Sequence, residues 1–354
     1  MSDLLLRFDG YDELKPLLSG SDEDVLVRLG KPTLIRIPGT DPQPRARLVA
    51  ALLHGNEDSG YHAVLDVLRT GARFPFDWWV FIGNVRAAMQ DGWYAHRYLD
   101  GQEDFNRVWG LGPPTTRMRR CASEVLAILE DQPVEAALDI HNTTGHNPYH
   151  AILSTVTPAG VRLAATCSDI LLEWHQRAYT LMEALDHRCP ALAVECGLPG
   201  LPDSHAYAAG VLERFLSAPT TEAGVGDPAR PRPEQTYEVL HRVEVRPEVR
   251  FAFGAPAATM TDEAAELDLV LHPGLDGYNF GMMLAGTELG RIDPGAAMPL
   301  CATDRYGRDV TDRYFTTTAD GRLLITEDVT PVMMVTTVVQ TRRDCLFYIA
   351  RRRA

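Results

Sequence analysis

The sequence predicts an α/β fold: a mainly parallel or mixed sheet with helices on both faces, followed by a smaller C-terminal all-β domain. Three observations predict it. Between residues 45 and 217, apolar runs of strand length alternate with segments of helical period, the pattern of a sheet covered on both faces. The segment from Ala218 to Gln235 is rich in Pro, Gly and Thr and reads as a linker. Beyond it come short strand-like runs separated by turn residues, with no convincing helix. The expected division is a catalytic α/β domain over 1–220 and a small β domain over 221–354.

Taken in order, the chain opens with a short helix near Tyr11 to Leu18, then two strand-like runs, "VLVRLG" and "PTLIRI". A proline-rich loop from Pro38 to Pro44 precedes the stretch "RLVAALLHGNEDSGYHAVLDVLR", from Arg47 to Arg69. Leu48 to Leu53 read as a buried strand that stops at His54-Gly55-Asn56-Glu57. After Ser59 and Gly60 the period becomes helical, with Tyr61, Val64, Leu65 and Leu68 on one face and Gly71 as the stop. A second buried strand is expected from Phe76 to Val85, rich in aromatic and β-branched residues. Residues 86–114 lack periodicity but hold many polar and aromatic groups, which marks a functional loop. Thr115 to Asp131 read as an amphipathic helix with a threonine cap. "VEAALDIHNTTG" is a third strand ending at His141. A helix over about Pro158 to Glu173 follows, then the strand "PALAVECGLPG" and the helix "DSHAYAAGVLERFLS". In the C-terminal region the expected strands are "TYEVLHRVEVR", "LDLVLHP", "GTELGRI", "LLITED" and "VMMVTTVVQ".

Composition narrows the function. A net charge of -14 argues against nucleic acid, which demands a basic face. An acidic protein that takes an anionic substrate needs local arginines or a metal to hold it. Only Lys15 and Lys31 are lysines, both in unremarkable N-terminal contexts, so Schiff-base and phosphate-loop chemistry are not expected. No GxSxG or GxGxxG is present. Six scattered cysteines with no CxxC pair read as reduced core residues, and neither a signal peptide nor a membrane span is visible. The expectation is a cytoplasmic protein without membrane contact; a homo-oligomer is left open.

Three predicted strands end in groups that suit a metal: His54 with Glu57, then His141, then Glu195. A catalytic zinc takes three nitrogen or oxygen ligands and keeps one position for water. His54, Glu57 and His141 supply those three, and Glu195 is then available as general base. Each residue alone has an ordinary explanation, such as a turn cap or a satisfied structural histidine. Together they are harder to dismiss, because Glu57 and Glu195 follow apolar runs where an unpaired carboxylate is costly to bury. His62, His146 and His150 receive no role in this reading.

The ordered motifs "HGNE", "RYLD", "DFNR", "DIHNTTG" and "AVECG" resemble the succinylglutamate desuccinylase/aspartoacylase family, a relative of the zinc carboxypeptidases. The resemblance implies one zinc per chain, held by His54, Glu57 and His141, with Glu195 as proton shuttle. It further implies that Arg97 polarises the scissile carbonyl and that Asn106 and Arg107 hold a substrate carboxylate. Asp104 would fix a zinc-binding histidine from behind. The implied activity is zinc-dependent hydrolysis of the amide of a small N-acyl amino acid. The alternatives are a zinc carboxypeptidase acting on short peptides and an inactive zinc-binding scaffold. The chain departs from the family in two places. The spacing between "RYLD" and "NR" is longer, and Arg188, Tyr278 and Tyr348 are not in register with the family's other substrate contacts.

Overall fold

The computed structural model describes residues 3–254 and 267–353. The chain divides into two compact units, one of residues 1–142 with 149–235 and one of residues 143–148 with 236–354.

The first unit runs β1 (Leu6–Asp9), α1 (Tyr11–Leu14), α2 (Asp22–Leu29), β2 (Thr33–Ile37), β3 (Ala46–Ala51), α3 (Ser59–Thr70), β4 (Asp77–Ile82) and α4 (Val85–Met89). It continues with α5 (Arg117–Glu130), β5 (Val134–His141), β6 (His150–Leu153), α6 (Pro158–Cys167), β7 (Ile170–Glu173), α7 (Leu181–Leu185), β8 (Ala191–Glu195) and α8 (Pro202–Ser217). A two-stranded ribbon, β9 (Thr220–Thr221) with β10 (Gly224–Val225), lies in the segment read as a linker. The strand order is β1-β2-β4-β3-β5-β8-β6-β7. The centre, β4-β3-β5-β8, is parallel, while β2 meets β4 and β6 meets β8 antiparallel.

Alternation along β3 explains the layers, since successive side chains of a strand point to opposite faces. Val49 and Ala51 join a core with α2, α3, α6 and α8. Leu48 and Ala50 join a second core with α5 and α7. A strand buried on both faces reads as a continuous apolar run, which is why β3, β4, β5 and β8 stood out.

The second unit holds β11 (Gln235–Val245), β12 (Phe251–Phe253), β13 (Leu269–Leu271), β14 (Glu288–Ile292), β15 (Leu300–Asp304), α9 (Thr311–Tyr314), β16 (Phe315–Thr317), β17 (Arg322–Ile325), β18 (Thr330–Val332), α10 (Val338–Arg343) and β19 (Phe347–Arg352). β11 pairs antiparallel with both β15 and β19, and β18 pairs with β19. A separate sheet has the order β12-β13-β14-β17-β16 and shares one apolar core with β11, β15 and β19.

The structure bears out the fold class, with corrections at individual elements. "VLVRLG" lies mostly in α2, not a strand, because Ser21 and Asp24 form a capping box and Gly30 closes the helix at φ 64°. The helix expected over Pro158 to Glu173 ends at Cys167, and β7 follows it. β6 was not anticipated. In the second unit, the run read as the strand "VMMVTTVVQ" ends as a strand at Val332 and contributes α10, capped by Thr337. Among the described residues no helix is long and apolar enough to cross a membrane.

Candidate metal centre and active site

The central strands deliver their last residues to one edge of the sheet, where open α/β folds place their sites. His141 and Glu195 stand side by side at the ends of β5 and β8. After β3, Leu52 takes a left-handed conformation (φ 59°), and His54 to Asp58 turn the chain into α3. The Gly55 amide donates to the Arg97 carbonyl at 2.9 Å, tying this turn to the loop after α4. A Cβ on Gly55 would stand 2.6 Å from Ala87 Cβ and from the Ala88 nitrogen, so the turn requires glycine.

Glu57 bridges the two imidazoles. Its Oε1 lies 2.8 Å from His54 Nδ1, and its Oε2 lies 2.7 Å from His141 Nδ1. Ligand atoms of these three buried residues all fall within 4.8 Å of one another, so the group can hold a metal ion. Behind the rings, Asp104 Oδ1 lies 3.0 Å from His54 Nε2 and Asp139 Oδ2 lies 2.7 Å from His141 Nε2. Carboxylates at both Nε2 atoms would keep protons there when a cation takes the Nδ1 side, leaving both Nδ1 atoms to bind it. Two imidazoles and one carboxylate form the donor set that zinc accepts.

The electrostatics follow from this crowding. Burial works against an ionised Glu57, but His54 and His141 outweigh it and hold the carboxyl well below its usual range. For His141, burial is outweighed by Asp139 and Glu57, which push the imidazole well above its ordinary value. Asp104 is lowered despite its burial, chiefly by Arg97 and His54. Glu195 behaves oppositely. Burial, reinforced by the negative Glu57, pushes its carboxyl up to about 7 against the pull of His141, His54 and Arg97. Its Oε2 is buried with no hydrogen-bond partner among the described residues. An orphaned oxygen at that place suits a polar group that the site receives.

The other expected residues fall around this group. Arg97 places Nη1 3.5 Å from Glu57 Oε1, with Nε and Nη2 each 3.0 Å from Asp104 Oδ2. Asn106 lies on the Nε2 side of His141, at 3.1 Å, and its Oδ1 accepts from the Leu181 amide at 3.0 Å. Arg107 is half-buried, its Nη1 donating to the Asn106 carbonyl at 3.0 Å. Arg188 lies apart from this group and binds the carbonyls of Leu129, Glu130 and Gln132 at the end of α5. Two residues went unread in the sequence. Asp139 precedes His141 by two positions in a strand and therefore shares its face, a spacing that signals the pair. Asn142 accepts from the Ser59 amide (3.1 Å), donates to the Gly197 carbonyl (2.9 Å) and gives its own amide to Glu57 Oε2 (3.3 Å).

This arrangement coincides with a match to known proteins. Residues 42–178 match the model of the succinylglutamate desuccinylase/aspartoacylase catalytic domain. The match spans four of the five motifs, from "HGNE" to "DIHNTTG", and bears out the resemblance, while "AVECG" with Glu195 lies beyond it; that family is one of deacylases. Solved structures of similar fold include the succinylglutamate desuccinylase from Chromobacterium violaceum, at 15% identity and TM-score 0.55, covering 91% of this chain and 89% of that one. A succinylglutamate desuccinylase/aspartoacylase from Rhodobacter sphaeroides matches at the same identity, coverage and score. Murine aminoacylase 3 is 18% identical at TM-score 0.51, with 89% and 97% of the two chains covered. At such identities the likeness is one of fold. No curated protein matches the sequence significantly.

Proposed function

We propose that this protein is a zinc-dependent hydrolase that cleaves the amide bond of a small N-acyl amino acid. One observation carries the reading. His54, Glu57 and His141 converge at the sheet edge, each imidazole backed by a carboxylate, with Glu195 beside His141, its buried Oε2 without a hydrogen-bond partner among the described residues. The match over residues 42–178 supports the deacylase class.

His54 and His141, through Nδ1, and the Glu57 carboxylate would hold the metal. Bound zinc would acidify a water molecule and polarise the substrate carbonyl. Glu195 takes the proton from the attacking water as its oxygen bonds to the carbonyl carbon. As the C–N bond breaks, the same carboxyl returns that proton to the departing amine, leaving a carboxylate and a free amine. A carboxyl pushed up to about 7 suits both halves of this task near neutral pH. Arg97, beside Glu57, supplies positive charge where the oxyanion develops. We place the substrate's own carboxylate at Asn106 and Arg107. Arg107 supplies the charge, because the Asn106 amide already serves Leu181 and the His141–Asp139 pair. The small β domain is proposed to span 221–354. Six cysteines, all free thiols, support a reducing compartment such as the cytoplasm.

Glu195→Gln tests the assignment. The variant should keep its metal and its fold while turnover falls on the order of 10²- to 10⁴-fold, the usual contribution of a general base. Undiminished hydrolysis by zinc-loaded Glu195→Gln would remove Glu195 from the mechanism.

A further inference from the structure

A second group of metal-competent side chains lies just past the first, and it does not depend on the deacylase reading. Asp58 follows Glu57 in the chain, His62 stands four residues on in α3, and His205 projects from α8, which packs against α3. Ligand atoms of the three lie within 4.8 Å of one another. Both imidazoles turn Nε2 towards the same oxygen: His205 Nε2 is 3.1 Å and His62 Nε2 is 3.6 Å from Asp58 Oδ2. Their ring centroids are 4.8 Å apart. Zinc bonds of about 2.0–2.1 Å place tetrahedral ligands roughly 3.3 Å apart, close to the two nitrogen–oxygen distances here.

Two further contacts orient the donors. Asp22 Oδ2 hydrogen-bonds His62 Nδ1, which favours a proton there and would free Nε2 for an ion. This repeats the carboxylate–imidazole arrangement behind His54 and His141. The other oxygen of Asp58 is already used, accepting from the Gly200 amide at 3.0 Å, so Oδ2 alone is turned to the imidazoles. In the metal-free protein, protons on the two Nε2 atoms let both imidazoles donate to Asp58 Oδ2; a bound metal ion would displace those protons and join all three donors. The His62 and His205 side chains are 20% and 34% exposed, leaving a path for the ion and a place for water as fourth ligand.

We propose that Asp58, His62 and His205 form a second metal site for a borderline divalent ion such as zinc. The ion would clamp α3 to α8 and, through Asp58 and Gly200, hold the loop that follows Glu195.

The test is zinc titration into chelator-stripped full-length protein, followed calorimetrically, with bound zinc quantified after desalting. The wild type should bind two zinc ions and His205→Ala one. The double variant His54→Ala/His141→Ala should bind one, and adding His205→Ala to it should abolish binding. Zinc should also raise the melting temperature of His54→Ala/His141→Ala, with circular dichroism checking its fold. A single zinc in the wild type that persists in His205→Ala would overturn the proposal, as would two in His205→Ala or none in a folded His54→Ala/His141→Ala.

Discussion

Each imidazole of the candidate centre meets a carboxylate at both ring nitrogens: Glu57 at Nδ1, and Asp104 or Asp139 at Nε2. In the proposed metal site, the outer carboxylates would set the tautomer and raise the basicity of the inner nitrogen, and so govern metal affinity without being ligands. Asp139→Asn should therefore weaken zinc binding roughly 10- to 100-fold, measured by competition with a chromophoric chelator, while circular dichroism stays native. Unchanged affinity would mean that Asp139 serves only the fold. The proton chemistry makes a separate prediction. Glu195 must be ionised to accept a proton, so kcat/KM should fall as the pH drops through its pKa. Burial pushes this carboxyl up to about 7, and a divalent cation beside it would bring it down. The acidic limb should lie between the ordinary carboxylate value, about 4.3, and about 7, and be missing from any residual activity of Glu195→Gln. A limb that survives unchanged in Glu195→Gln would belong to another group.

The elements that carry the site are those whose chemistry is strongest locally. β3, β5 and β8 are apolar on both faces, and each ends where a functional side chain begins, so strands and residues were legible together. The turn between β3 and α3 is held by close contact as well as by hydrogen bonds. Gly55→Ala would force a Cβ to 2.6 Å from a backbone nitrogen of α4, which cannot move aside as a side-chain tip can. A cost of about 1–3 kcal/mol is expected, with a matching fall in melting temperature and weaker metal binding, because His54 and Glu57 flank this glycine. A variant of wild-type stability and zinc affinity would contradict the packing argument. What was not legible has physical causes. β6 and β7 are four residues each, too short to show a period, and β7 follows α6 closely enough to read as its last turn. α2 and α10 hold Val and Leu in runs that mimic strands, and only their caps, Ser21 with Asp24 and Thr337, declare them helical. Asp104, Arg97 and Arg107 sit in an aperiodic loop, where pattern places nothing; the motif resemblance alone singled them out.

At the scale of the molecule, a chain of net charge -14 gathers arginines where an anionic substrate would sit, with Arg97 and Arg107 on the loop beside the His54–Glu57–His141 group. The two arginines stand among the carboxylates of Glu57, Asp104 and Asp139, and the proposed deacylase would use their charge on a substrate that carries a free carboxylate. Hydrolysis of N-succinyl- and N-acetyl-amino acids, measured beside dipeptides on chelator-stripped and then zinc-reconstituted protein, tests the central claim most directly. The account predicts that zinc restores cleavage of at least one N-acyl amino acid, with dipeptides cut far more slowly. Efficient dipeptide cleavage without deacylation, or deacylation undiminished in the stripped protein, would contradict it.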